Sequence, residues 1–128
     1  MKPLAEKGCP HAQYTFGRMY ELGGLKGIGN QSTSDIRKAI KWYELAAEQG
    51  NLDALFNLAS IFYHGNKDHK IFKDYVRAAR YYRQAAESGD EIAQFYLGNM
   101  YAEGKGVTKD YIQAYMWLSL AALQLKNR

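Results

Sequence analysis

The sequence predicts an all-α solenoid built from about three antiparallel helix pairs, and three observations predict it. First, HAQYTFGRMYELG (His11 to Gly23) matches IAQFYLGNMYAEG (Ile92 to Gly104), and DALFNLASIFYHG (Asp53 to Gly65) matches both. Second, the segments downstream agree in the same way: DIRKAIKWYELAAEQG from Asp35, DYVRAARYYRQAAESG from Asp74 and DYIQAYMWLSLAALQL from Asp110. Third, the equivalent residues Ala12, Ala54 and Ala93 stand 42 and 39 positions apart. Removing inter-helix loops of 12 and 9 positions leaves 30 in both cases. Self-similarity at such a period marks stacked supersecondary units, with insertions confined to loops that reach solvent.

The elements follow in order as one domain over residues 1–128. Residues 3–8, PLAEKG, match ELAAEQG before Asn51 and QAAESG before Asp90, so 1–8 reads as the end of a preceding second helix. Repeats then cover 9–50, 51–89 and 90–125. Gly8, Gly50 and Gly89 stand where a left-handed residue ends a helix. Cys9, Asn51 and Asp90 follow at the N-cap of each first helix (helix A), where Asn and Asp accept from free backbone N–H groups. Pro10 suits a first helical position, where its missing donor costs nothing.

Within helix A the sets Ala12–Phe16–Tyr20, Ala54–Leu58–Phe62 and Ala93–Leu97–Tyr101 repeat at spacings of four, so each lies on one side of its helix. Gly17, Ala59 and Gly98 come next to the middle large residue, a small position at which a second helix can approach closely. Asp35, Asp74 and Asp110 suit the start of helix B. Its inner face reads Ala39, Trp42, Ala46, Ala47; then Ala78, Tyr81, Ala85, Ala86; then Ala114, Trp117, Ala121, Ala122. At helical spacing these aromatics read as core.

The A-Q-[YF]-x-[LF]-G-x-M-Y start, the G-x-G turn at Gly104 and Gly106, the Asp110 that follows and the A-A-E-x-G end resemble the Sel-one-like repeat (SLR) family, relatives of the tetratricopeptide repeats. The resemblance spans nearly the whole chain. It implies helix pairs whose A helices line a concave surface, and an adaptor role in assembling complexes. Two departures stand out: one cysteine cannot make the disulfides of cysteine-rich members, and the middle unit has Gly65-Asn66-Lys67 and a longer charged loop instead of G-x-G.

On that surface an aromatic recurs at Tyr14, Phe56 and Phe95, with Arg18, Asn99 and Tyr63 among its polar neighbours. Rings beside hydrogen-bonding groups suit an extended peptide or a helix; equally, the rings fill space between units. The expected partner-binding residues are therefore Tyr14, Arg18, Phe56, Tyr63, Phe95 and Asn99. The expected function is a non-enzymatic scaffold or adaptor holding a protein or peptide of unknown identity.

An alternative is a binder of nucleic acid or other anionic partners through a helix-B stripe. Arg37, Lys38 and Lys41 correspond to Val76, Arg77 and Arg80, beside Lys67, Lys70 and Lys73. The third helix B carries Ile112, Gln113 and Met116 there, and the net charge of +4 is far from that of a dedicated nucleic-acid binder.

Other chemistry finds little to stand on. His64 and His69 are loop histidines without zinc spacing. The segment Gly23 to Ser34 lacks the G-K-[ST] ending of a phosphate loop. Cys9 has only His11 nearby, and no serine motif of a hydrolase occurs. No catalytic residue, metal or cofactor is assigned. The only cysteine, Cys9, is compatible with a reducing compartment such as the cytoplasm. The N-terminus shows no apolar leader core, and the longest uncharged run, Tyr111 to Leu125, is too short and polar to span a bilayer. The apolar last helix B, with Met116, Leu118, Leu120, Leu123 and Leu125, predicts a longer array or self-association.

Overall fold

The computed structural model describes residues 5–22, 35–67 and 70–126. Six helices order them: α1 (Pro10–Leu22), α2 (Ile36–Glu48), α3 (Leu52–His64), α4 (Tyr75–Glu87), α5 (Glu91–Glu103) and α6 (Tyr111–Lys126). α1, α3 and α5 are the A helices, and α2, α4 and α6 the B helices. No strand occurs among the described residues; Asn66 and Ile71 form an isolated antiparallel bridge. The chain falls into two compact units, Met1–Leu58 and Ala59–Arg128.

Each helix begins where its capping residue stands. The Asp35 side chain accepts from the backbone N–H of Lys38, Asp74 from that of Arg77, and Asp110 from those of Ile112 and Gln113, at 3.0–3.1 Å. Asn51 accepts from Ala54, and Asp90 from Ile92 and Ala93. Each bond satisfies a donor that the first helical turn leaves unpaired. Cys9 contributes its carbonyl to the N–H of Gln13. Gly8, Gly50 and Gly89 all have positive φ, as a left-handed helix end requires.

Each unit has its own core. In the first, Tyr43 of α2 is 0 % exposed beside Gly17 of α1. A Cβ on Gly17 would come within 2.7 Å of the Tyr43 ring and 3.3 Å of the Ala39 carbonyl. In the second, Tyr82, Leu97 and Met100 are fully buried, and Gly98 of α5 faces Leu118 of α6, where a Cβ would meet Leu118 Cγ at 2.7 Å. Both glycines are thus pressed against helix B of their own repeat, and Ala59 is fully buried at the equivalent place.

The inner face of helix B differs from the expectation in two respects. The deepest aromatics are Tyr43 and Tyr82, while Trp42 and Tyr81, one position earlier, are half-buried. Ala122 is exposed although its equivalents Ala47 and Ala86 are buried.

Two buried glutamines tie neighbouring helices by polar links. Gln13 Nε2 donates to the Ala5 carbonyl at 3.0 Å, and Gln49 Nε2 donates to Gln13 Oε1 at 2.9 Å. In the third repeat Gln94 donates to the Ala86 carbonyl at 3.1 Å and accepts from Gln124 at 3.0 Å. Each amide thereby spans the carbonyl of the preceding helix B and the end of its own helix B. The middle repeat has Leu55 and Ser88 at these places and buries Leu55.

Replacing Gly17 with alanine tests the close approach. In an exposed helix interior alanine would gain about 1 kcal/mol over glycine. Here it is expected to lower stability by roughly 1–3 kcal/mol, because the enclosed Tyr43 ring has nowhere to move. Denaturant midpoints at unchanged m-value are the measurement; a rise in midpoint would show that the two helices are not in contact there.

Candidate partner-binding face

The expected residues lie on the A helices of both units, and a helix-B tyrosine organises each group. In the first unit Tyr43 reaches past Gly17, and its hydroxyl donates to Glu21 Oε1 at 2.5 Å. The Tyr14 ring stands 5.8 Å from the Tyr43 ring, and both Tyr14 and Arg18 are half-buried. Burial, followed by the Glu21 carboxylate, raises the Tyr43 pKa well above its ordinary value; Asn57 and Arg18 oppose the shift without reversing it. Phe56 is half-buried on α3.

The second unit repeats the plan with rings instead of polar groups. Tyr82 takes the place of Tyr43, Tyr63 that of Glu21, and Tyr96 that of Asn57. Tyr82 and Tyr96 stack with centroids 4.9 Å apart and planes 4° from parallel. Tyr63 meets both edge-on, at 6.4 and 6.1 Å, and meets Tyr75 at 5.3 Å. Phe95 extends the cluster from Tyr96 at 6.0 Å and is 48 % exposed. Edge-on and offset contacts of this kind each contribute about 0.5–1.5 kcal/mol beyond area burial, so the rings hold one another in place.

At the rim, Lys105 Nζ lies 5.7 Å from the Tyr63 centroid and 5.4 Å from that of Tyr75, and 3.7 Å from Glu103. Tyr63 foremost, then Glu103, pushes the Lys105 pKa up, so the ammonium is charged throughout the physiological range. Asn99 is half-buried on α5.

Within the second unit, then, Tyr63 and Phe95 join one cluster through Tyr96. Its other members, Tyr75, Tyr82, Tyr96 and Lys105, went unnoticed in the sequence. The available signal was the Tyr43–Tyr82 pair at equivalent places. Leu118 interrupts that column in the third repeat, which made the Trp42–Tyr81–Trp117 column look like the more regular one.

Two cations of the helix-B stripe lie against A-helix rings. Lys38 Nζ is 5.5 Å from the centroid of Tyr20, and the Arg77 guanidinium 4.3 Å from that of Phe62. Repeat alignment makes these two contacts equivalent, and they read as a packing device. The nucleic-acid alternative finds no support here. His64 sits against the Tyr63 ring, while His69 and the Gly23 to Ser34 segment lie outside the described residues. Among the described residues no group of three or more His, Cys, Asp or Glu could hold a metal, and no helix is long and apolar enough to cross a membrane.

The repeat geometry has a counterpart among known families. The Sel1 repeat matches the chain three times, at residues 17–51, 52–90 and 92–124. The chain belongs to the Sel1-repeat family. Its fold is the all-α SLR solenoid fold of solved Sel1-repeat structures. A protective antigen of uropathogenic Escherichia coli strains with an SLR fold is 35 % identical at a TM-score of 0.81, over 94 % of this chain and 24 % of the antigen chain. The chain thus spans about a quarter of that relative. A Sel1 repeat protein from Oxalobacter formigenes is 33 % identical at a TM-score of 0.77, over 96 % of this chain and 86 % of its own. Helicobacter pylori cysteine rich protein B shares the fold, with 24 % identity and a TM-score of 0.64, over 85 % of this chain and 82 % of its own. No curated protein matches. Sel1-repeat proteins are generally protein–protein interaction scaffolds and typically have no enzymatic activity.

The buried tyrosines give this Sel1-repeat chain a testable alkaline limit. Burial, then Tyr96 and Tyr63, raises the Tyr82 pKa above its ordinary 10.0, as burial and Glu21 do for Tyr43. A raised folded-state pKa favours the protonated native form, so this stabilisation is complete below pH 10.0 and is lost as the pH climbs beyond it. The expected slope is about 1.4 kcal/mol per pH unit for each tyrosine. Tyr82→Phe should make the decline above about pH 10 shallower by one such increment in denaturant titrations; an unchanged slope would mean that this hydroxyl is solvated.

Proposed function

We propose that the chain is a non-enzymatic adaptor that holds a protein or peptide segment on the A-helix surface of its repeats. The contact residues are Tyr14, Arg18 and Phe56 in the first unit and Tyr63, Phe95 and Asn99 in the second. The observation that carries this reading is the half-exposed Phe95 ring backed by the Tyr96–Tyr82 stack. A rigid aromatic surface costs little entropy on binding, and aromatic and arginine side chains dominate the energetics of protein interfaces. Glu21, Arg18 and Asn57 in the first unit supply polar groups of the kind that fix the register of a bound segment.

The general scaffold role of the family supports the class of activity, and the residue assignment is our own. Arg18→Ala, Phe95→Ser and Asn99→Ala should be combined in one variant, since none of these side chains is among the fully buried ones. Affinity capture from native lysate with wild type and variant as paired baits is the decisive comparison. A partner held by the wild type should fall by about tenfold or more with the variant, which corresponds to loss of about 1.4 kcal/mol or more. Undiminished capture by a variant of unchanged thermal midpoint would reject this face.

A further inference from the structure

The loop that made the middle repeat irregular displays a feature its counterparts lack. Alignment on the helix-B caps places Phe72 level with Thr33 and Thr108. Phe72 is 85 % exposed, and Val76, the second residue of α4, is 59 % exposed. Single exposed apolar residues are ordinary, whereas two that line one concavity form a surface suited to an apolar guest. Both line an open groove of about 580 Å³, with Phe62, Ile71 and Tyr75 beside them and Gly106 at its edge.

This groove is built into the backbone. Asn66 and Ile71 exchange two backbone hydrogen bonds of 2.8 Å, and Lys70 N–H donates to the Lys67 carbonyl at 3.2 Å. Lys70 accepts a left-handed φ of 55°, which is costly for a lysine and is imposed by the closed turn. On the far side the Asp74 N–H donates to the Phe62 carbonyl at 2.7 Å, and its carboxylate caps α4. Phe72 is therefore held outward between two anchored points. Gly106, which also lines the groove, packs so closely on the Tyr75 carbonyl that a Cβ there would collide with it.

The rim is basic. From Lys67 to Arg80 the sequence carries Lys67, Lys70, Lys73, Arg77 and Arg80 against Asp68 and Asp74, and Lys70, Lys73 and Arg77 line the groove itself. Asp74 is engaged in its cap. Lys70 and Lys73 are exposed.

We propose that this face docks an acidic peptide segment bearing an apolar side chain. That side chain would sit on Phe72 and Val76, and its flanking carboxylates would meet Lys70 and Lys73. Charge complementarity selects this occupant. A second copy of the chain carries a net charge of +4 and would bring like charge to the basic rim. A nucleic acid would satisfy the lysines and offer nothing to Val76. Tyr75 borders both this groove and the A-helix cluster, but Phe72, Lys70 and Lys73 are not among the A-helix contact residues, so the test does not depend on that assignment.

A displayed library of random peptides, selected on the wild type and counter-selected on Phe72→Thr, tests the proposal directly. The threonine is what the other two repeats hold at this place, so the fold should tolerate it. Recovered peptides should be rich in Asp and Glu around a Leu, Phe or Trp. Their affinity should drop about tenfold with Phe72→Thr, and again with Lys70→Glu combined with Lys73→Glu. Peptides bound equally by wild type and Phe72→Thr, or recovered without acidic enrichment, would overturn the proposal. So would a labelled polyuridine oligonucleotide that binds more tightly than the peptides and is lost with Phe72→Thr. Sedimentation showing a self-associated wild type dispersed by that substitution would also overturn it, in favour of a second copy.

Discussion

The structure depends on how closely the two helices of one repeat approach each other. At Gly17 and Gly98 the missing Cβ lets a helix-B side chain, Tyr43 or Leu118, lie directly on the helix-A backbone. Once that distance is set, the other alternations follow. Alanines occupy helix-B positions where space is short, as at Ala39, Ala78 and Ala114, all buried, and large side chains go where the gap widens. Interiors pack at crystal-like density, so a one-carbon change at the contact is felt on both helices. The repeat tolerates variation in its loop because the loop lies outside this contact.

The same approach produces the surface. A helix-B tyrosine at this depth reaches the A-helix side chains: the Tyr43 hydroxyl meets Glu21, and the Tyr82 ring lies against those of Tyr63 and Tyr96. Burying such a ring contributes on the order of 4 kcal/mol in removed apolar area. The ring can thus be anchored by burial alone, leaving its outer neighbours free to change character. In the first unit they are Glu21, Arg18 and Asn57; in the second they are aromatic. Core and candidate recognition surface share one side chain in each of these two repeats.

Much of this was legible in the sequence. The loop arithmetic placed the length variation between the two helices of a repeat, and Asp35, Asp74 and Asp110 located the helix-B starts, because capping chemistry is local. Gly17 and Gly98 were legible as contact points because a small residue recurring at one place in a repeat marks a close approach of backbones. Tyr43 and Tyr82 were not, since both they and Trp42 and Tyr81 fit a helical period. Which aromatic faces inward depends on helix rotation, a tertiary quantity. The Gln13 and Gln94 links were hidden for a related reason: a glutamine in an A-Q pair looks solvated until a carbonyl of the preceding helix lies opposite it. Of the six expected face residues, Phe95 was recognisable by recurrence and Tyr63 only as a hydrogen-bonding neighbour on helix A; the two join one cluster, while their neighbours Tyr75 and Lys105 come from a helix start and a turn that helix-A periodicity does not reach.

The middle repeat shows how such an array can diverge without losing its fold. It replaces both glutamines of the polar link, and Leu55 fills the vacated space as a buried apolar residue. Losing a linked polar pair is close to neutral when both partners change together, here to a buried leucine and to a serine that bonds within its own helix end. The same repeat has lost the G-x-G turn and gained a bridge-closed loop that turns Phe72 outward. Neither change touches the contact between helix A and helix B, where Ala59 keeps the small side chain that the approach demands. Helix spacing is thus the fixed quantity of this chain, and the links between repeats and the loops within them are where its sequence has been free to specialise.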